Sequence, residues 1–349
     1  MATQQVSQRS SNFELLRIFL IIFVVILHYN DSSRHGAFSF IDQATFLNKF
    51  FLYSMESLTL CAVNGFLCLS GYFLSKKDNV NIRKIIHLFT ILFAYRVLTY
   101  LPVALAHDSL SVKGIIRCFI PSSYYANLYS VVFLLSPFLN LITNKLNEKK
   151  YKLFIILLLS LFSILPTLTA LTPLSKSVSA ISLYGNGRGF TIVNFILLYY
   201  IGGYIAKRDY KNLTTPFFVF VLSSFLNCVM MFINKSAAIM YCNIFVVLQA
   251  ASLIVLFKNM KYQSNILNSV AKSVWGVFCV HGFFMGIYCK MFPYELSQNI
   301  LFLVLHFGGC VIAVFACSLV WDKICACLLK PIEKMFDKMP IFNKKISAE

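Results

Sequence analysis

Long apolar stretches recur along the whole chain, each closed by a short polar and mostly basic cluster. The runs are Phe13–Tyr29, Leu47–Leu74, Ile85–Ala106, Leu128–Ile142, Leu153–Leu171, Ile192–Ala206, Phe217–Ile233, Ile239–Phe257, Trp275–Phe292 and Ile300–Leu328. A helix needs ~20 apolar residues to cross the hydrocarbon core of a bilayer, and most of these runs approach or exceed that length. Backbone polar groups in lipid must be satisfied within their own segment, so such runs predict helices. The pattern therefore predicts an all-α polytopic membrane helix bundle of about ten transmembrane helices. An even number of spans puts both termini on one side.

Lys and Arg accumulate in short cytoplasmic loops, so their placement assigns that side. With the N-terminus inside, the inner segments hold most of the 31 basic residues, among them Lys76, Lys77, Arg83, Lys84, Lys145, Lys149, Lys150, Lys207, Arg208, Lys261, Lys272 and Lys345. The outer segments hold Arg34, Lys49, Lys113, Arg117, Lys176, Arg188, Lys235 and Lys290. Both termini are thus expected in the cytoplasm, with residues 1–330 forming the transmembrane domain and 331–349 a basic cytoplasmic tail.

Composition agrees: 58% of residues are hydrophobic and 13% charged, and the mean hydropathy is +0.74, beyond what a soluble domain with a polar surface carries. The net charge of +18 is dispersed over membrane loops, which points to topology and contact with anionic membrane lipid, with no nucleic acid as partner. Leu15–Leu27 lacks a small-residue cleavage site and is interrupted by Arg17, so it reads as a retained first helix rather than a signal peptide. The 11 cysteines form no C-x-x-C and lie mostly in apolar runs, where they read as packing residues, and no metal is expected. P-loop, G-x-G-x-x-G and H-E-x-x-H patterns are absent.

Ionisable side chains are expensive in hydrocarbon, so those inside the runs are the first candidates for function. Among them are Glu14, Arg17 and His28 in the first run, Glu56 in the second, Arg96 in the third, His281 in the ninth and His306 in the tenth. Arg17 and His28 are eleven residues apart, which makes three helical turns with ~20° left over and a separation of ~16 Å on one face. The alternative for Arg17 is a side chain that snorkels to cytoplasmic headgroups. Glu14 fits an i,i+3 partner of Arg17, and His306 fits a satisfied core histidine. In Val63–Leu74 the small residues suit close helix packing, while Asn64 is a polar group without an obvious packing role.

At these residues the sequence resembles the membrane acyltransferase-3 family, which O-acylates sugars of bacterial surface polysaccharides. NFELLRIFLIIFVVILHY (Asn12–Tyr29) is similar to the family's first-helix signature, matching it at Arg17 and His28. VNGFLCLSGYFL, LYSVVFLLSPFLN, FILLYYIGGYIAKR and SVWGVFCVHGFF resemble later family motifs in the same order. The usual basic motif near the third helix is reduced to Asn81-Ile82-Arg83-Lys84, and no extra esterase-like domain is expected, so the bundle would act alone or with a separate partner.

The resemblance implies an integral O-acyltransferase of the bacterial cytoplasmic (inner) membrane. Its donor would be acyl-CoA, foremost acetyl-CoA, and its acceptor a hydroxyl of a surface polysaccharide or a lipid-linked glycan. In that reading His28 is the base, because imidazole exchanges protons near neutral pH. Arg17, with Arg83 and Lys84 beneath it, holds the donor phosphates, and Asn64, Arg96 and His281 are candidates for substrate contacts. Direct attack by the sugar and an acylated histidine fit equally. The rival reading is a glycan polymerase or lipid-linked-sugar flippase without acyl transfer.

Overall fold

A computed structural model of the chain describes residues 10–31, 36–172, 182, 187–293, 299–337 and 345–348. The ten apolar runs emerge one for one as helical spans. The first is α1 (Ser11–Asn30), and the second is broken at Leu60–Cys61 into α2 (Phe46–Thr59) and α3 (Ala62–Leu74). Next come α4 (Arg83–Ala106), a short α5 (Val112–Cys118) and α6 (Tyr124–Lys145). The fifth span joins α7 (Glu148–Leu159) and α8 (Leu165–Ala170) through a π-helical turn, Ser160–Ile164. The remainder are α9 (Ile192–Ala206), α10 (Thr214–Ala238), α11 (Ile244–Lys258), α12 (Asn265–Ala271), α13 (Val274–Met291) and α14 (Ile300–Asp337). Among the described residues, eight of these spans are long and apolar enough to cross a bilayer, whereas α9 and α11 are only 15 residues each.

The segments assigned to the cytoplasm meet at one end. Ser11 Oγ lies 3.0 Å from Gln263 Oε1 and 2.9 Å from Asn268 Oδ1, and Asn12 Nδ2 donates to the Phe257 carbonyl at 2.7 Å. Lys207 Nζ donates to the Thr143 carbonyl at 3.2 Å, and Arg208 pairs with Glu148. At the same end β1 (Asn79–Asn81) pairs antiparallel with β2 (Lys345–Ser347), which ties the tail to the loop after α3. The start of α1 and the strand β2 therefore share the basic end. Arg34 and Lys176 lie outside the described residues. In a cysteine-free background, an impermeant thiol reagent on intact cells should label Lys235→Cys and spare Lys149→Cys, Lys207→Cys and Lys345→Cys. Labelling of Lys345→Cys without Lys235→Cys would reverse the orientation.

The centre of the bundle is a glycine-mediated crossing of α3 and α9. A Cβ on Gly71 would collide with the Tyr199 carbonyl, and one on Gly202 with the Cys68 carbonyl. Small residues are what let two backbones approach this closely in lipid. Around the crossing, Leu16, Leu20, Leu67, Leu197 and Ile254 are completely buried. The perimeter is equally apolar but exposed, as at Phe217, Phe218 and Phe225 on α10 and Leu301, Leu305 and Ile312 on α14, as expected for a protein whose outer solvent is lipid. Asn140 links the layers: its Nδ2 donates to the carbonyls of Leu74 (2.9 Å) and Lys77 (2.8 Å), and its Oδ1 accepts from Tyr199 at 2.7 Å.

α11 starts five residues later than the apolar run implies. Asn243 caps it, its Oδ1 accepting from the Phe245 amide at 3.0 Å. The chain before it folds inward: the Cys242 carbonyl accepts from Ser163 Oγ at 2.9 Å, and the Tyr241 amide donates to the Arg188 carbonyl at 3.0 Å. Hydropathy alone cannot separate such a buried apolar loop from a helix.

Candidate functional site

The site forms where spacing on several helices brings selected residues onto facing stripes. On α3, Val63, Phe66, Ser70 and Phe73 recur at intervals of three and four; on α6, Tyr125, Tyr129 and Phe133 recur every four. Together with Arg17 and Val24 of α1, Lys84 and Leu88 of α4, and Trp275 and Phe278 of α13, they enclose a cavity of about 530 Å³. Lys77, Lys84 and Lys272 stand exposed at its mouth, on the basic end of the bundle. Outside it, Lys76, Lys77, Asp78, Asn79, Asn81 and Lys84 line a contiguous groove beside β1.

Arg17 lines this cavity. Its Nη1 meets Glu14 Oε1 at 2.6 Å, the i,i+3 pair the sequence suggests, and its guanidinium carbon lies 5.4 Å from the Phe73 ring centroid. The Glu14 side chain is nearly buried and that of Arg17 about 29% exposed, and a guanidinium with one nitrogen paired still carries further donors. Lys84 lies 5.9 Å from the Phe133 ring centroid and lines both cavity and groove. Arg83 is exposed on the first turn of α4 and lines neither of them.

The histidines lie beyond the inner end of the cavity. Val24, which lines it, is one turn before His28 on α1, and Phe278, which also lines it, is one turn before His281 on α13. The two imidazoles are 4.7 Å apart between ring centroids and inclined by 35°. His281 Nδ1–H donates to the Val277 carbonyl at 3.1 Å, which directs its other nitrogen away from its own helix backbone. His28 Nδ1 has Asp31 Oδ2 at 3.6 Å, slightly beyond hydrogen-bonding distance, from a residue one turn along the chain. Deeper still, Glu56 is buried and accepts from Asn30 Nδ2 at 2.9 Å.

The other ionisable or polar candidates have structural partners elsewhere. Asn64 Nδ2 donates to the Tyr241 carbonyl at 2.8 Å and so pins the inward-folded loop before α11. Arg96 donates to the Ile120 carbonyl and to Ser122, just past the end of α5, where the Phe119 ring lies 5.9 Å from that of Phe93 on α4. A cation at a helix C-terminus is favourable there. His306 has both ring nitrogens engaged, Nδ1 with Tyr29 at 2.9 Å and Nε2 with the Phe292 carbonyl at 3.2 Å, a satisfied core histidine. Lys77, Lys272 and Asp31 escape a filter for charges inside apolar runs because they lie just beyond the helices that present them; the cavity aromatics escape it because they are ordinary membrane residues.

A family model described as an acyltransferase domain, of the acyltransferase-3 type, matches residues 10–322. No curated protein and no solved structure matches the chain.

Proposed function

This chain belongs to the acyltransferase-3 family of membrane proteins, and on that premise we propose that it carries acetyl from cytoplasmic acetyl-CoA to a hydroxyl of a surface polysaccharide or its lipid-linked precursor. The observation that carries the proposal is the cavity itself. It opens among cations at the basic end and ends one helical turn short of two facing imidazoles. Arg17, Lys77, Lys84 and Lys272 offer several positive charges against Glu14, the one acid among the described residues that line it, which suits the phosphates of coenzyme A. The extended pantetheine arm would span the ~16 Å of α1 between Arg17 and His28.

In the direct route His28 Nε2 removes the proton from the sugar hydroxyl as its oxygen attacks the thioester carbonyl. The carbon–sulfur bond breaks, and the departing thiolate takes the proton from the imidazolium. Asp31 stabilises the imidazolium through Nδ1. In the alternative route Nε2 itself attacks the thioester, the carbon–sulfur bond breaks to release the thiolate, and the sugar oxygen then takes the acyl group from nitrogen as its proton passes to the thiolate. Either route uses the same residues in the same positions, in a bacterial inner membrane with the acceptor at the outer face.

Membranes containing the protein, supplied with radiolabelled acetyl-CoA, should accumulate label in the glycan fraction that mild alkali releases, as expected of an ester. A polymerase or flippase would leave that fraction unlabelled in the same assay, and such a result would end the acyl-transfer reading.

A further inference from the structure

We propose that Phe278 is a specificity-determining residue that restricts the acyl group to a short chain; the inference rests on the acyl-transfer reading above. Phe278 occupies the boundary between the cavity and the histidine pair. Its ring stacks on Trp275 at 5.0 Å and 15°, approaches Tyr125 at 5.4 Å, and lies 6.0 Å from the His281 ring. Tyr125 in turn faces Phe66 at 6.4 Å, so rings from α3, α6 and α13 form a collar, with Val24 of α1 also lining the cavity.

A thioester delivered from the basic end places its acyl group ahead of the sulfur, at or beyond this collar. Past the collar, the end of α1 is polar: Asn30 is bonded to the buried Glu56, and Asp31 stands beside His28. An alkyl chain longer than acetyl therefore has two destinations. It either displaces the Phe278 ring from its neighbours or is buried against those polar groups without satisfying them, and both are unfavourable. A packed pocket discriminates against each surplus methylene by roughly 10-fold or more. Phe278 is only half-buried, lines the cavity and has a ring neighbour on either side, so its removal opens space next to the reacting carbonyl rather than inside the helix packing.

The test is a competition between acetyl-CoA and butyryl-CoA, with kcat/KM for each measured on the same preparation of full-length protein in lipid. The ratio within one preparation cancels the amount of folded protein. The wild type should favour acetyl by about 100-fold, and Phe278→Ala should bring the ratio to about 10-fold or less, since two methylenes are at stake. Phe278→Trp should move the ratio the other way and also penalise propionyl-CoA, which keeps the proposal testable if Phe278→Ala folds poorly. Equal use of both donors by the wild type, or an unchanged ratio in both variants, would overturn the inference and leave acyl transfer intact. Absence of any acyl transfer by the wild type would overturn the reading on which it rests, and the inference with it.

Discussion

His28→Ala should leave the protein inserted and abundant in the membrane and lower acyl transfer by about 10²–10⁴-fold, the range that a positioned acid–base group contributes. Loss of the ring should be well tolerated structurally. His28 is only half-buried, its Nδ1 makes no hydrogen bond among the described residues, and it packs beside the His281 ring and the Asp31 carboxylate. A loss of activity without a loss of protein is then a chemical effect. Asp31→Asn should give a smaller loss, because an amide can still contact Nδ1 but cannot stabilise the imidazolium by charge. Initial rates and membrane abundance, measured together, decide the matter; near wild-type transfer by His28→Ala would remove it from the mechanism.

The second large effect is expected at Arg17. Hydrogen bonds to charged groups contribute about 1.5–3 kcal/mol, so Arg17→Ala should weaken acetyl-CoA binding by about 10- to 100-fold. Arg17→Lys keeps the charge and loses the forked donor geometry that matches phosphate, and should fall between the two. Glu14 complicates the alanine variant, since its carboxylate is almost buried and would lose its partner. Glu14→Gln combined with Arg17→Ala removes that difficulty and should bind donor as weakly as Arg17→Ala alone. His28→Ala should bind acetyl-CoA almost normally. Calorimetry on purified protein separates the cases: equal binding by wild type and Arg17→Ala would make Arg17 a structural residue, and full tolerance of lysine would favour a headgroup contact.

Much of the fold was legible because lipid imposes a simple rule on sequence. The ten apolar runs correspond to ten helical spans, and the inner segments named from charge, such as Arg83, Lys149, Lys207 and Lys345, fall at one end. What hydropathy could not show was where apolar chain leaves the helix. Residues 239–243 are as apolar as a helix end, yet they fold inward under hydrogen bonds from Asn64 and Ser163, residues far away in sequence. The same limitation governs the site. Arg17 and His28 share a helix, so their relation is local and readable, whereas the contacts of Asn64 and Arg96 depend on loops that only the folded chain brings to them. The cavity aromatics illustrate the converse: Tyr125, Tyr129 and Phe133 have the spacing of any packed helix face, and only the gap between α3, α6 and α13 makes that face a lining.

The central claim is that the donor is held at the basic end and the acyl group leaves toward the opposite side. Proteoliposomes of known uniform orientation, given radiolabelled acetyl-CoA on one side and glycan acceptor on the other, test it directly. Ester-linked label is expected in the acceptor only when acetyl-CoA faces the basic end and acceptor the opposite end, and it should be lost in His28→Ala. Transfer that requires donor and acceptor on the same side, or that proceeds with donor confined to the far side, would contradict it.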